Sequence, residues 1–352
     1  MGKNIKRFHP FSRSFLIMLL LFLFLPHLLP AQQMKAERYE YRSSHMGTTF
    51  RIVLYADSKV QADSASRAAF RHIEKLDSLL SDYDSESELN RLNRTSGRDT
   101  AVVVSRHLFR VLQYARQVSE KTGGAFDVTV GPYVQLWRKM NRQAEPALPT
   151  DQTLASMSKR VGFRYVKLDE QHQTVELRQK NMQLDLGGIA KGYAVDQALK
   201  MLNRHGVDAA LVDGGGDIAI GAPPPGRNGW NIEVLTHDTA GVDNRIMLQL
   251  ANSAVATSGD LYQYVEIDGT RYSHIIDPRT GLGLTDRRQV TVIASNGLTA
   301  DSYASAASVL PPEKALRLAE KMKGVALFME QYRDSGIKRW QSGGFRTLIH
   351  KE

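Results

Sequence analysis

Between residues 61 and 80 apolar side chains recur at Ala65, Ala68/Ala69, Ile73, Leu76 and Leu79/Leu80, a three-to-four-residue rhythm that predicts an amphipathic helix. The same rhythm returns over 105–121 (Leu108, Val111, Leu112, Ala115, Val118), where Gly123-Gly124 supplies a stop. It returns again over 190–205 (Ala194, Val195, Ala198, Leu199, Leu202), closed by Gly206. Residues 39–56 read as two strands around a turn at His45-Met46-Gly47-Thr48. Residues 175–185 alternate like a strand, and 209–213 and 218–220 flank the turn Gly214-Gly215-Gly216. Further strand-like runs lie at 230–235, 246–250, 265–267, 272–276 and 289–294, and a last helix at about 299–310. The polar stretches 81–93 and 141–153 read as surface connections. Helices and strands without regular βαβ alternation predict an α+β fold, with mixed or antiparallel sheets and packed helices.

The N-terminus departs from this pattern. Lys3, Lys6, Arg7 and Arg13 precede an unbroken apolar run over 15–25, which Pro26, Pro30 and Ala31 then break. This is the layout of a secretory signal peptide. The run is short of the roughly 20 residues a spanning helix needs, although an uncleaved N-terminal anchor fits the same residues. The expectation is a leader over 1–31, cleaved near Ala31, then a single domain over 32–352 placed in the periplasm or on the outer face of the inner membrane.

The chain has 46 Lys+Arg against 37 Asp+Glu, but four of the basic residues belong to that leader. The modest remaining balance suits an anionic ligand, and no basic block interleaved with aromatics argues for nucleic acid. The absence of cysteine excludes thiol catalysis, Cys-ligated zinc, iron–sulfur centres and a Cys-anchored lipoprotein.

Three stretches carry candidate chemistry. The first runs from Leu184 through Asp185, Gly187-Gly188 and Lys191 to Gly192. Paired glycines before a helix let backbone approach a ligand, and a helix start offers free N–H groups to an anion. With Lys191 in the first turn, the segment suits a phosphate or pyrophosphate; a tight strand–helix connection with an exposed lysine fits it equally. The second is Asp301 with Ser305, four apart on one helical face. Their hard oxygens suit Mg2+ completed by carbonyls, phosphate oxygens and water. Equally, Asp301 could cap its own helix and Ser305 bond back to a carbonyl. The third is His274, delivered by a strand just before Asp277-Pro278. It is either a base for an attacking hydroxyl or a structural hydrogen-bonding residue.

Taken in order, eight segments resemble the ApbE-like FAD:protein FMN transferases, flavin transferases of exported and membrane-attached redox proteins. They are His45-Met46-Gly47-Thr48; Tyr83 with Ser87-Glu88 and Asn90; residues 123–127; 185–192; 213–218; Ala256-Thr257-Ser258-Gly259-Asp260; 274–281; and 301–305. The resemblance implies a T-fold-related, ApbE-like architecture. It also implies a Mg2+-dependent enzyme that cleaves FAD, attaches FMN through a phosphoester to a Thr/Ser hydroxyl of an acceptor protein, and releases AMP.

By that pattern Met46, Tyr83, Ala125, Phe126 and Asp127 line the flavin or adenine site, and Asp185, Lys191 and Ile275 also contact FAD. Gly188 (through its carbonyl), Asp301 and Ser305 hold Mg2+, while His274 is the general base. The usual acceptor is a membrane-associated redox protein. Three positions depart from the pattern: Ser305 replaces a common threonine, Ala304 a frequent polar residue, and Asp82 a proline before Tyr83. An FAD pyrophosphatase and a non-catalytic periplasmic FAD-binding protein are the alternatives.

Overall fold

The computed structural model describes residues 1, 2, 4, 36–142, 146–237, 243–259, 264–333 and 335–349. Nearly all of the expected leader, its cleavage point, and Asp260 lie outside these residues. The unit described below is Ala36–Glu352.

Eight antiparallel strands form the main sheet, and their order across it follows the chain: β1 (Glu37–His45), β2 (Thr48–Ala56), β3 (Ala210–Asp213), β4 (Asp217–Ile220), β5 (Ser253–Gly259), β6 (Arg288–Ala294), β7 (Ala326–Arg333) and β8 (Gly336–Gln341). His45 pairs with Thr48 across a two-residue turn in which Met46 (φ 49°) and Gly47 (φ 71°) are both left-handed, the turn type whose twist matches a hairpin. The helices are α1 (Lys59–Leu80), α2 (Glu88–Asn93), α3 (Arg106–Thr122), α4 (Gly131–Met140), α5 (Asp151–Ser158), α6 (Ala190–Arg204), α7 (Gly297–Val309), α8 (Pro312–Lys321) and α9 (Gly343–Leu348).

The inner strands of the sheet are buried on both faces. Ile52, Leu54, Val292 and Met329 point into a core shared with α1, α3, α6 and α7. Val53, Ile293 and Phe328, their neighbours in sequence, point the other way. There the hairpin of Trp230–His237 with Asp243–Leu250, together with α9, covers them. A third cluster joins Tyr133 and Trp137 of α4 to Tyr272 and Ile276. Trp137 Nε1 donates to Gly281 O (2.8 Å), and a Cβ on Gly281 (φ 76°) would collide with the Tyr133 ring. The turn following His274 is thereby fixed against α4.

The α+β class with antiparallel sheets is observed, with several local differences. The strand expected over 175–185 ends at Leu177. Beyond it the chain meets a side chain in place of a strand: Leu184 N donates to Asn93 Oδ1 (2.8 Å) and Asn93 Nδ2 donates to Leu184 O (3.3 Å). The polar stretch 141–153 contains the start of α5, capped by Thr150, and 81–93 contains α2, capped by Ser87. Strands β5, β7 and β8 and helix α8 have no counterpart in the sequence reading. β7 is buried continuously from Ala326 to Gln331, so it shows none of the alternation that marks a half-exposed strand.

Candidate active site

Helices α6 and α7 meet at their first turns. A Cβ on Gly192 would collide with Gly297 O and lie 2.6 Å from Asp301 Cβ, and a Cβ on Gly297 would collide with Gly192 O. Two bare backbones therefore touch, which no larger residue permits. Asp301 does not cap its own helix, because Asn296 does. Its Oδ2 accepts from Gly192 N (2.9 Å), at the start of α6. In return Asp196 of α6 accepts from Gly297 N (2.6 Å) and Leu298 N (3.0 Å), at the start of α7. Each helix receives an anion from the other where its dipole favours one.

This clasp brings charges together. Lys191 Nζ contacts Asp217 Oδ2. Burial alone would lower the lysine's pKa, but Asp217, Asp301 and Asp213 reverse that and push it up to about 12. Burial, with Asp217 facing it, pushes the Asp301 carboxyl up to about 8 against the pull of Lys191 and Gly192 N–H. Burial likewise raises Asp217. Two buried carboxyl groups thus face one ammonium, and a further cation beside Asp301 would favour its ionised form.

Two oxygens here have no hydrogen-bond partner among the described residues. Asp301 Oδ1 accepts nothing. Ser305 Oγ is also unbonded, although Ser302 and Ser308 on the same helix donate to Leu298 O (2.8 Å) and Ala304 O (3.0 Å). Ser305 is also the one residue of α7 that is not buried. A Cβ on Gly188 would fall 2.8 Å from Ser305 Oγ and 3.3 Å from Phe126, so glycine alone lets that backbone lie against the hydroxyl.

These groups open onto a cleft of about 950 Å3 that brings together all twelve residues singled out from the sequence. The hairpin turn supplies Met46, whose N–H donates to Asp77 (2.8 Å), and the loop after α1 supplies Tyr83. The segment after α3 gives Ala125, Phe126 and Asp127, and the run into α6 gives Asp185, Gly188 and Lys191. His274 and Ile275 follow the strand Thr270–Ser273, and α7 gives Asp301 and Ser305.

Several individual roles differ from expectation. The start of α6 is not a set of open donors: Ala190 N donates to Leu186 O (2.8 Å) and Gly192 N is held by Asp301. The Lys191 ammonium is engaged by Asp217. Both oxygens of Asp127 are occupied, by Thr129 and by Phe163 N (2.8 Å), so its carboxylate orders the loop. Ala304 is buried in the core and does not face the cleft.

Asp82 binds Arg138, which also reaches Asp185 (3.4 Å) and lies over the Tyr83 ring (4.1 Å). Burial, then the neighbouring Asp82, pushes Asp185 up to about 6. Asp217 fell within the segment 213–218 without being singled out, and Asp196 and Arg138 escaped the sequence reading. Asp217 left one signal, a carboxylate opening an apolar strand directly after three glycines. The other two left none.

A profile of the ApbE family matches residues 46–329. The FAD:protein FMN transferase of Treponema pallidum is 34% identical over 311 residues, spanning 84% of this chain and 85% of that one. Its counterpart from Vibrio cholerae is 30% identical over 333 residues, spanning 92% and 96%. Among solved structures, the flavin transferase ApbE from Vibrio cholerae superposes with a TM-score of 0.79 at 30% identity, covering 89% of this chain and all of that one. The apo Pseudomonas stutzeri flavinyl transferase ApbE gives 0.79 at 27% identity, covering 90% and 98%. Matched along most of its length in both sequence and architecture, the chain belongs to the ApbE family.

Proposed function

We propose that the protein is a Mg2+-dependent FAD:protein FMN transferase that moves FMN from FAD to a threonine or serine hydroxyl of an acceptor protein and releases AMP. The observation that carries this reading is the unbonded pair, Asp301 Oδ1 and Ser305 Oγ, on residues that line the cleft beside Lys191 and a second buried carboxyl, Asp217. FAD brings a pyrophosphate, and Lys191, already engaged by Asp217, does not neutralise it alone, so the cleft needs a further cation to hold it. The available donors are a carboxylate, a hydroxyl and the Gly188 carbonyl, all hard oxygens that suit Mg2+. No group of three His, Cys, Asp or Glu residues forms a metal cluster among the described residues, which fits a set completed by phosphate oxygens and water. When bound there, Mg2+ supplies charge neutralisation at the phosphate oxygens.

The chain's own residues supply the rest. Lys191 neutralises phosphate charge, with Asp217 fixing its position. The Met46 turn, Tyr83 and residues 125–127 provide the walls that hold the flavin and adenine. His274 takes the proton of the acceptor hydroxyl on an imidazole nitrogen as that oxygen attacks the FMN phosphorus. The bond from this phosphorus to the bridging oxygen breaks, and AMP departs with the bridging oxygen. Positioning and charge stabilisation are the main tools of phosphoryl transfer.

Sequence features support a site of action outside the cytoplasm: a basic segment, an apolar run and a break precede the family match. Membrane-associated redox proteins are the acceptor class we propose. Mass spectrometry of an acceptor incubated with enzyme, FAD and Mg2+ should show a gain of one FMN less water, abolished by EDTA. AMP release with no gain in acceptor mass would favour the pyrophosphatase instead.

A further inference from the structure

A second cavity, of about 910 Å3, shares Asp82 and Tyr83 with the FAD cleft. Five cations line it: Arg94, Arg98, Lys139, Arg160 and Lys180. They come from four separate places, namely the turn after α2, α4, the end of the α5 region, and the loop after Thr174–Leu177. The convergence is built into the backbone. Gly97 (φ 70°) donates to Leu177 O (2.8 Å), and a Cβ on it would lie 2.5 Å from Lys180 Cα. The Arg94–Arg98 turn is thus pressed against the Lys180 loop.

Carboxylates do not balance this charge. Arg94 has only a 3.9 Å approach to Glu86. Among the described residues Arg98, Lys139, Arg160 and Lys180 form no ion pair with an acidic side chain. Asp82, the one acidic residue on the wall, is bound to Arg138. Four unpaired cations around one concavity repel each other, and an anionic occupant relieves that repulsion. Tyr83 is the one aromatic side chain lining this cavity, so successive nucleic-acid bases have no run of stacking platforms.

We propose that this cationic groove is the docking site for acidic residues flanking the acceptor hydroxyl of the protein substrate. The inference rests on the transferase reading. An acceptor must place one hydroxyl in the cleft while the rest of its segment lies outside. Tyr83, 78% exposed, stands with Asp82 on the wall both cavities share, so a segment leaving the cleft across it enters the groove. Charge complementarity of this kind sets partner choice and encounter rate.

The test uses two labelled synthetic peptides, each with one threonine, flanked by aspartates in one and by lysines in the other. Fluorescence anisotropy with the full enzyme should show the aspartate peptide binding roughly tenfold or more tightly. The gap should close as salt rises from about 50 to about 500 mM. The Lys139→Glu/Arg160→Glu/Lys180→Glu variant should reverse the preference and leave FAD binding, read by flavin fluorescence, unchanged. If that variant unfolds, the corresponding triple Gln variant should bring the two peptides to within about twofold. Equal binding of both peptides, no binding of either, or a charge-altered folded variant that still prefers aspartate would overturn the proposal. A wild-type enzyme that shows the preference but transfers FMN to no acceptor would instead break the transferase reading and leave the groove assignment standing.

Discussion

Asp301 and Asp196 are near-mirror devices at the junction of α6 and α7. Each is a largely buried aspartate whose pKa burial raises, and each caps the first turn of the helix it does not belong to. They differ in how their oxygens are used. Asp196 gives both to backbone N–H groups of α7, and its charge is further met by Lys200 and Arg110. Asp301, which lines the cleft near Lys191 and Asp217, gives one oxygen to Gly192 and leaves the other unbonded. A carboxylate with both oxygens committed is a fastener. One with an oxygen to spare is a fastener that can also bind a ligand.

That contrast can be broken experimentally. Asp301→Ala should reduce FMN transfer on the order of a thousandfold, measured by acceptor mass. Activity within tenfold of wild type would place the phosphate charge elsewhere. Gly192→Ala should come next, because a methyl there meets backbone; destabilisation of about 2–3 kcal/mol should appear in denaturant unfolding. Asp196→Ala should cost about 1–2 kcal/mol as a lost cap and lower transfer only about tenfold. Asp196→Asn, whose amide oxygen still accepts, should recover much of both. An Asp196→Ala enzyme as inactive as Asp301→Ala would erase the distinction drawn above.

The smallest effect concerns the far side of α6, where Tyr193 Oη meets His107 Nδ1 (2.8 Å) and His107 stacks edge-on with His72 (5.3 Å between centroids). Burial holds both imidazoles below 6.5. The charge of His107 adds to this for His72, and Lys75 adds to it for both. The folded state therefore binds fewer protons than the unfolded chain just below that value. This contribution to stability is complete above about pH 6.5 and is lost as pH falls toward the lowered folded values. Melting temperature should decline across that window, and His72→Gln should flatten the decline; an unchanged slope would exclude the pair as its source.

Much of this architecture was visible in the residues. The helix rhythm of α1, α3 and α6 placed them to within a few positions, because each has one exposed face. The hairpin at Met46-Gly47 announced itself through turn chemistry. Strand β7 did not, since a strand buried on both sides has no polar phase to read. Strand β5, Ser-Ala-Val-Ala-Thr-Ser-Gly, lacked the bulk that marks a strand.

At the site, the motif residues were legible as a set but not in their contacts. Nothing in sequence spacing reveals that Asp301 bonds Gly192, because a separation of more than a hundred residues carries no period. The glycine at 192 read as part of a ligand loop, whereas its necessity is a helix crossing. Arg138 lies on α4, a helix with no counterpart in the sequence reading.

The main sheet pairs its strands in chain order, yet several of its connections are long excursions, and two of them carry groups that surround the α6–α7 junction. The segment 57–209, between β2 and β3, carries Tyr83, residues 125–127 and Lys191; the segment 260–287, between β5 and β6, carries His274 and Ile275. Either connection can lengthen, shorten or change its surface without altering which strands pair. Such a scaffold is permissive to remodelling: lineages could exchange the outer parts of these loops to follow a changing client protein, while the bond-breaking apparatus on α6 and α7 stays as it is.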